Sequence, residues 1–271
     1  MPNEPAPLVL ADLDDTLFQT GRRLDLAGVE QPRITATLGK DGAPMSFMTP
    51  VQHQFVSWLC RHAEVVPVTA RSVEALQRVQ LPFGRRAVCS HGAVILDAHG
   101  KTVKAWQLQM QQQLADYAPR LQTLLAEVQA EALRNNWRLR SWVVEEEGLS
   151  AYLVVKQEHQ DDHILRTLAD TLTAGGQLAG FYQHMNGNNL ALLPNPVNKK
   201  AAVMFLLEQD RQQQGERVVL GFGDSLSDLG FLGECHWWGT PRQGQIAHWL
   251  ADELADHLQR KGRYDHAPDF D

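Results

Sequence analysis

The chain is predicted to be α/β, a parallel sheet with helices on both faces, carrying an inserted α+β unit. Three observations lead there. First, Leu8-Val9-Leu10-Ala11, Val65-Val66-Pro67-Val68 and Val218-Val219-Leu220-Gly221-Phe222 are short unbroken apolar runs, the pattern of strands buried on both faces. Second, each is linked to a stretch of helical periodicity, and strands that alternate with helices make a parallel sheet. Third, the segment between the second and third runs has a different rhythm: helix, strand, strand, helix, strand, strand.

In chain order, the first strand follows Pro7 and ends at Asp12. Within Phe18 to Pro50, Ile34 to Leu38 and Met45 to Met48 bracket Lys40-Asp41-Gly42, which predicts a β-hairpin flap. Val51 to Cys60 reads as a helix before the second strand, which ends at Thr69, and Val73 to Val79 as a helix after it. Arg85 to Lys104 returns through the edge of the core. Leu114, Tyr117, Leu121, Leu124, Leu125, Val128 and Ala132 recur at steps of three and four, predicting one long amphipathic helix over about 108–134. Strands follow at Trp137 to Val144 and Ala151 to Val155, split at Glu147-Gly148. A helix over about 160–173 then stops at Gly175-Gly176. Leu178 to His184 and Leu190 to Leu193 flank Asn186-Gly187-Asn188, a hairpin signal. Ala201 to Glu208 reads as the helix before the third strand, and the polar stretch from Gln259 to Asp271 is expected to fray.

At 271 residues, and roughly 150 per domain, the chain makes one large domain or two modest ones. Its 44% hydrophobic and 21% charged residues are ordinary for a globular protein, and no apolar run approaches the roughly 20 residues of a membrane span. The balance of 25 Lys+Arg against 32 Asp+Glu leaves −7. That argues against wrapping nucleic acid and leaves room for a small anionic substrate only where local cations receive it. Trp137, Trp142, Trp237 and Trp238 read as core or interface, since nothing basic surrounds them as a base-stacking platform requires. The three cysteines (Cys60, Cys89, Cys235) form no metal-like pair, and the N-terminus has no basic or cleavable apolar leader. A reducing, cytoplasmic setting is expected, with neither nucleic acid nor membrane as partner.

Ligands of an open parallel sheet bind beyond the carboxyl ends of its strands, so the residues that end strands carry weight. The first strand runs into Asp12-Leu13-Asp14-Asp15-Thr16, placing Asp12 and Asp14 where both can face one small volume. Two such carboxylates need a cation between them or a shared proton, and Mg2+ suits an all-oxygen set completed by substrate phosphate. The third strand runs into Gly223-Asp224-Ser225-Leu226-Ser227-Asp228, with two further carboxylates four apart on one side of a helical turn. Lys199 and Lys200 stand at the start of the helix before that strand. An ammonium there would neutralise a carboxylate nucleophile and clamp a phosphoryl oxygen.

Asp12-Leu13-Asp14-Asp15-Thr16, Thr69, Lys199 and Gly223-Asp224-Ser225-Leu226-Ser227-Asp228 resemble, in order and spacing over nearly the whole chain, the four motifs of the Mg2+-dependent phosphatases of the haloacid dehalogenase superfamily. The insertion between the second and third motifs is similar to the type IIB cap of sugar-phosphate phosphatases such as sucrose-phosphate and mannosyl-phosphoglycerate phosphatase. Thr69-Ala70-Arg71, His91-Gly92-Ala93 and Lys199-Lys200-Ala201-Ala202 extend the likeness, although relatives often carry Asn at the position of His91. The resemblance implies a Rossmann-like core over 1–104 and 195–271 and a cap over 105–194. It implies that Asp12 is the nucleophile forming an aspartyl-phosphate, that Asp14 is the general acid and base, and that Thr69 and Lys199 hold the phosphoryl group. Asp12, Asp224, Asp228 and the main chain of Asp14 would bind Mg2+. A small phosphorylated metabolite, a sugar phosphate first, is the expected substrate, touched by Thr69, Arg71, Asn186 and Asn189.

Competing readings exist for several residues. Thr69 could instead cap the helix starting near Ser72, and Lys200 could replace Lys199. Arg22 and Arg23 read as a solvated loop, as do Glu145-Glu146-Glu147. His159 and His163 are spaced as a zinc pair but lack the Glu after the first His. On the same machinery a phosphomutase or phosphotransferase is the alternative activity, and a catalytically silent binding protein is the alternative of another class.

Overall fold

The computed structural model describes residues 5–28, 33–158 and 162–260. Strand β1 (Leu8–Ala11) is buried throughout. It is followed by β2 (Gln19–Thr20), the six-residue helix α1 (Gly21–Leu26), and the hairpin of β3 (Ile34–Leu38) and β4 (Pro44–Met48). With β2 on its edge this flap is a three-stranded antiparallel sheet. Helix α2 (Pro50–His62) starts with Thr49 and Gln52 satisfying each other's backbone N–H and with proline in its first position, the arrangement that sets a helix start most firmly. Strand β5 (Glu64–Pro67), the one-turn α3 (Val73–Leu76) and the antiparallel pair β6 (Ala87–Cys89) and β7 (Val94–Leu96) follow.

Where one helix over 108–134 was expected there are two, α4 (Lys104–Leu114) and α5 (Tyr117–Arg134). Pro119 supplies the reason. It has no N–H to give the carbonyl of Ala115 four residues back, and its ring crowds that carbonyl. The break also separates two faces. Trp106, Met110 and Leu114 of α4 enter the core under the parallel sheet, whereas Leu121, Leu124 and Val128 of α5 enter a second core. Strands β8 (Leu139–Glu146) and β9 (Leu149–Gln157), helix α6 (Asp162–Ala174), and strands β10 (Phe181–Asn186) and β11 (Asn189–Pro194) complete the α+β unit. Its sheet is antiparallel in the order β10-β11-β9-β8. The chain returns through α7 (Lys199–Gln214), capped by Asn198, then β12 (Val219–Phe222), α8 (Leu229–Leu232), β13 (Trp237–Gly239) and α9 (Gln245–Arg260).

The parallel sheet runs β13-β12-β1-β5, and a bridge from Val68 to Val88 extends it toward β6. Alternation along β1 sends Leu8 and Leu10 into one core and Val9 and Ala11 into the other, where α2 and the flap pack. At the amino ends of these strands Arg86 and Arg217 are hydrogen-bonded to Glu64 and Asp210, with nitrogen–oxygen distances of 2.6–2.9 Å. Strand β13 has no counterpart among the expected elements. It takes the sheet's edge, where Trp237 and Trp238 remain 64% and 44% exposed, so neither is a core residue. Trp142 is exposed as well, while Trp137 packs on the second core. His159 and the tail beyond residue 260 lie outside the described residues. Among those described, no helix is long and apolar enough to cross a membrane.

Candidate active site

The three expected strand tips converge. The N–H of Asp12 donates to the carbonyl of Phe222 (2.8 Å), and that of Val68 to Ala11 (2.8 Å). Asp12, Thr69 and Asp224 therefore leave the sheet at one end and side by side. Gly223 lets the next turn fold back, since a Cβ there would lie 2.7 Å from the Cβ of Asp228. Asp228 then accepts from the N–H (3.0 Å) and hydroxyl (2.8 Å) of Ser225 and sits fully buried. Carboxylate oxygens of Asp12, Asp224 and Asp228 all fall within 4.8 Å of one another.

Lys199 enters from the first turn of α7 and donates to Asp12 Oδ1 and to Asp228 Oδ1, both at 2.7 Å. Burial alone would depress its ammonium, but Asp12 and Asp228 outweigh burial and hold its pKa above the ordinary lysine value. Lys200 points elsewhere, to Glu234 at 3.1 Å, and is half exposed. Of the two lysines, it is Lys199 that meets the Asp12 and Asp228 carboxylates. Thr16, quoted above without a role, spans Asp12 (3.3 Å) and Asp224 (3.2 Å) with its hydroxyl.

Three buried carboxylates against one ammonium leave a formal charge of −2, and the electrostatics register it. Burial raises the Asp12 carboxyl well above the usual range despite Lys199. Asp224 is pushed up to about 7, first by burial and then by Asp228. An all-oxygen donor set with two surplus negative charges fits a hard divalent cation. The carboxylate of Asp14 is not part of this group.

Asp14 instead faces Arg71. Both oxygens are held by the guanidinium fork, from Nε and Nη2, at 2.7 Å each. Arg71, expected at the substrate, thus grips a neighbouring carboxylate in the planar two-point fashion at which arginine excels. Thr69 is buried, and its hydroxyl accepts from the Arg71 N–H (3.1 Å). The helix cap weighed against it is filled by Ser72, which accepts from Ala75. Arg23, read as a loop residue, is ion-paired with Asp15. The Asp15 carboxyl is nonetheless raised by burial, against the opposing Arg23 and Asn186.

Two cavities meet at this end. One, of about 40 Å³, is bounded by Asp12, Asp14, Thr69, Lys199 and Asp224; the other, of about 620 Å³, extends beneath the β10–β11 hairpin and over α1. Asn186 borders both, whereas Asn189 borders only the larger, where its amide donates to the side chain of Asn188 (3.2 Å). His91 and His184 also border both, and Tyr152 the larger. Sequence reasoning missed His184 and Tyr152: a single histidine on a strand with no neighbouring motif gives no signal. Glu146 was read as part of a solvated loop. It is buried and accepts from the hydroxyl of Ser90 at 2.5 Å, because β8 runs on to Glu146 and carries it inward.

No family model matches the chain, and no curated protein matches it in sequence. Solved structures do match in shape. The C-terminal domain of trehalose-6-phosphate phosphatase from C. albicans is 14% identical and superposes over 96% of this chain and 79% of its own, with a TM-score of 0.54. A trehalose-6-phosphate phosphatase related protein is 15% identical, over 94% and 99%, at 0.50. A protein of Thermoplasma acidophilum is 12% identical, over 96% and 100%, at 0.53. The likeness is one of fold. The chain has the expected α/β architecture, a parallel sheet with an inserted α+β unit.

Proposed function

We propose, from a fold shared with such phosphatases, that this chain is a Mg2+-dependent phosphomonoester hydrolase working through an aspartyl-phosphate on Asp12. The observation that carries the reading is the grouping of Asp12, Asp224 and Asp228 within 4.8 Å, with Lys199 bonded to two of them, at the tips of adjacent parallel strands. The core spans 1–104 and 195–271 and the cap 105–194, with the substrate between them.

Asp12, Asp224 and Asp228 would hold the cation, joined by the main chain of Asp14. When bound, Mg2+ offsets negative charge on the three phosphoryl oxygens. Lys199 holds Oδ1 of Asp12 in place and offers a positive charge to the phosphoryl group. A carboxylate oxygen of Asp12 bonds to phosphorus as the ester P–O bond breaks. Asp14 gives its proton to the departing alcohol, then takes one from the water that displaces phosphate from Asp12. Arg71 orients the ionised Asp14 carboxylate and has to release one of its oxygens when that oxygen carries the proton, and Thr69 donates its hydroxyl to a phosphoryl oxygen. Phosphate and free Asp12 are restored together.

A small phosphorylated metabolite in the cytoplasm is the substrate in this reading, a sugar phosphate first. The trehalose-6-phosphate phosphatase of like fold supports that choice. Release of phosphate from p-nitrophenyl phosphate should require Mg2+ and vanish in Asp12→Asn. Full activity in that variant would exclude the covalent route.

A further inference from the structure

His91 and His184 occupy the junction between the two cavities, one from the parallel-sheet core and one from strand β10 of the inserted unit. Their ring centroids are 5.1 Å apart, and Tyr152 meets His91 edge-on at 5.2 Å. His91 is only 7% exposed. Among the described residues no protein group is hydrogen-bonded to either imidazole, whereas Asp14 and Asp15 at the same junction are taken by Arg71 and Arg23. Imidazole rings that border a cavity and take no hydrogen bond from the surrounding protein have hydrogen-bonding capacity that a ligand can fill.

The chain goes to unusual lengths to put His91 there. Ser90, His91 and Gly92 are three consecutive residues in the left-handed region, with φ of 50°, 57° and 104°, a conformation that persists only where surroundings impose it. The N–H of Ser90 donates to Arg71 (2.8 Å) and that of His91 to Thr69 (3.1 Å), while the Trp106 indole donates to the Gly92 carbonyl (3.0 Å). The Ser90 hydroxyl donates to Glu146. A Cβ at residue 92 would lie 2.3 Å from the carbonyl oxygen of Asn198. His91 is therefore fixed by the same segments that carry Thr69 and Lys199.

We propose that His91 and His184 hydrogen-bond uncharged hydroxyls of the leaving group and so decide which phosphomonoester is accepted. This rests on the hydrolase reading above. Burial lowers the pKa of both rings, that of His91 well below the ordinary histidine value. Near neutral pH each then offers one N–H and one lone pair, a match for a hydroxyl and a poor one for a second anion.

The test measures binding in the Asp12→Asn background by calorimetry, with inorganic phosphate, glucose 6-phosphate, sucrose 6-phosphate and trehalose 6-phosphate as probes. His184→Phe keeps the ring contact and removes both nitrogens, and His91→Asn tolerates the left-handed backbone. The tightest sugar phosphate should lose about tenfold to thirtyfold in His184→Phe, with the inorganic phosphate Kd moving by less than about threefold. His91→Asn should reorder the sugar phosphates. Equal losses for ester and inorganic phosphate, no loss in either, or no sugar phosphate binding more tightly than inorganic phosphate would overturn the proposal. Should wild type still release phosphate from p-nitrophenyl phosphate in those cases, the hydrolase reading survives alone. Should wild type release phosphate from neither p-nitrophenyl phosphate nor any of the three sugar phosphates while His184→Phe weakens sugar phosphate binding as stated, the histidine pair stands as a hydroxyl-binding site and the hydrolase reading falls.

Discussion

Asp224→Asn should make the metal-free protein more stable at pH 8 and change it far less at pH 5. The folded-state pKa of Asp224 is about 7, against an ordinary 3.8, because burial and Asp228 disfavour its ionised form. A group raised on folding holds its proton more tightly in the folded chain. Its contribution is whole below pH 3.8 and is lost as the pH rises through about 7. Three pKa units correspond to about 4 kcal/mol in full, of which about 2–3 kcal/mol falls between pH 5 and 8. His91 and His184 bias the slope the other way, since their lowered pKa values cost stability as the pH falls below the ordinary histidine range. The readout is accordingly the difference between variant and wild type. Denaturant unfolding in EDTA at pH 5, 6, 7 and 8 measures it; added Mg2+ should stabilise wild type at pH 8 more than the variant. A difference independent of pH, or one that shrinks as the pH rises, would refute the reasoning.

Lys199→Met leaves Asp12 and Asp228 buried without their cation and should cost about 3–5 kcal/mol in metal-free denaturation, together with the loss of phosphate release. Gly92→Ala forces a Cβ against the Asn198 carbonyl just before Lys199; a loss of about 1–3 kcal/mol and a lower kcat are expected, and unchanged values in both melting and turnover would contradict the packing described. Asp210→Ala strips the buried partner of Arg86 and Arg217, far from the strand tips. It should cost about 3 kcal/mol in thermal or denaturant unfolding and leave kcat unchanged.

The parallel sheet was legible because β1, β5 and β12 are continuous apolar runs that end in Asp12, Thr69 and Gly223-Asp224, and a buried strand admits little else. The hairpin at Asn186 to Asn189 was legible from turn chemistry. Helix α4–α5 was misread because the apolar spacing carries on across Ala115 and Asp116, while the interruption comes from Pro119, a residue periodicity does not weigh. Strand β13 escaped because three residues are too few for alternation to show. Asp12, Asp14, Asp224 and Asp228 lie in compact local patterns at strand ends, which brought them forward, whereas Lys199 was singled out only together with its neighbour Lys200. The grip of Arg71 on Asp14 links residues 57 apart, and His184 meets His91 only through folding of the inserted unit; pairings of that kind leave no local trace.

The sheet has a floor and a rim of opposite character. At the floor two guanidinium groups and two carboxylates satisfy one another, so that end is finished by the polypeptide alone. The rim is left with a deficit of two positive charges that no side chain at the strand tips makes good. In the hydrolase proposed above, ion scarcity would accordingly act twice, thinning the folded population as well as idling the molecules that remain, so that the supply of divalent ions would be a condition of maturation before it was one of turnover.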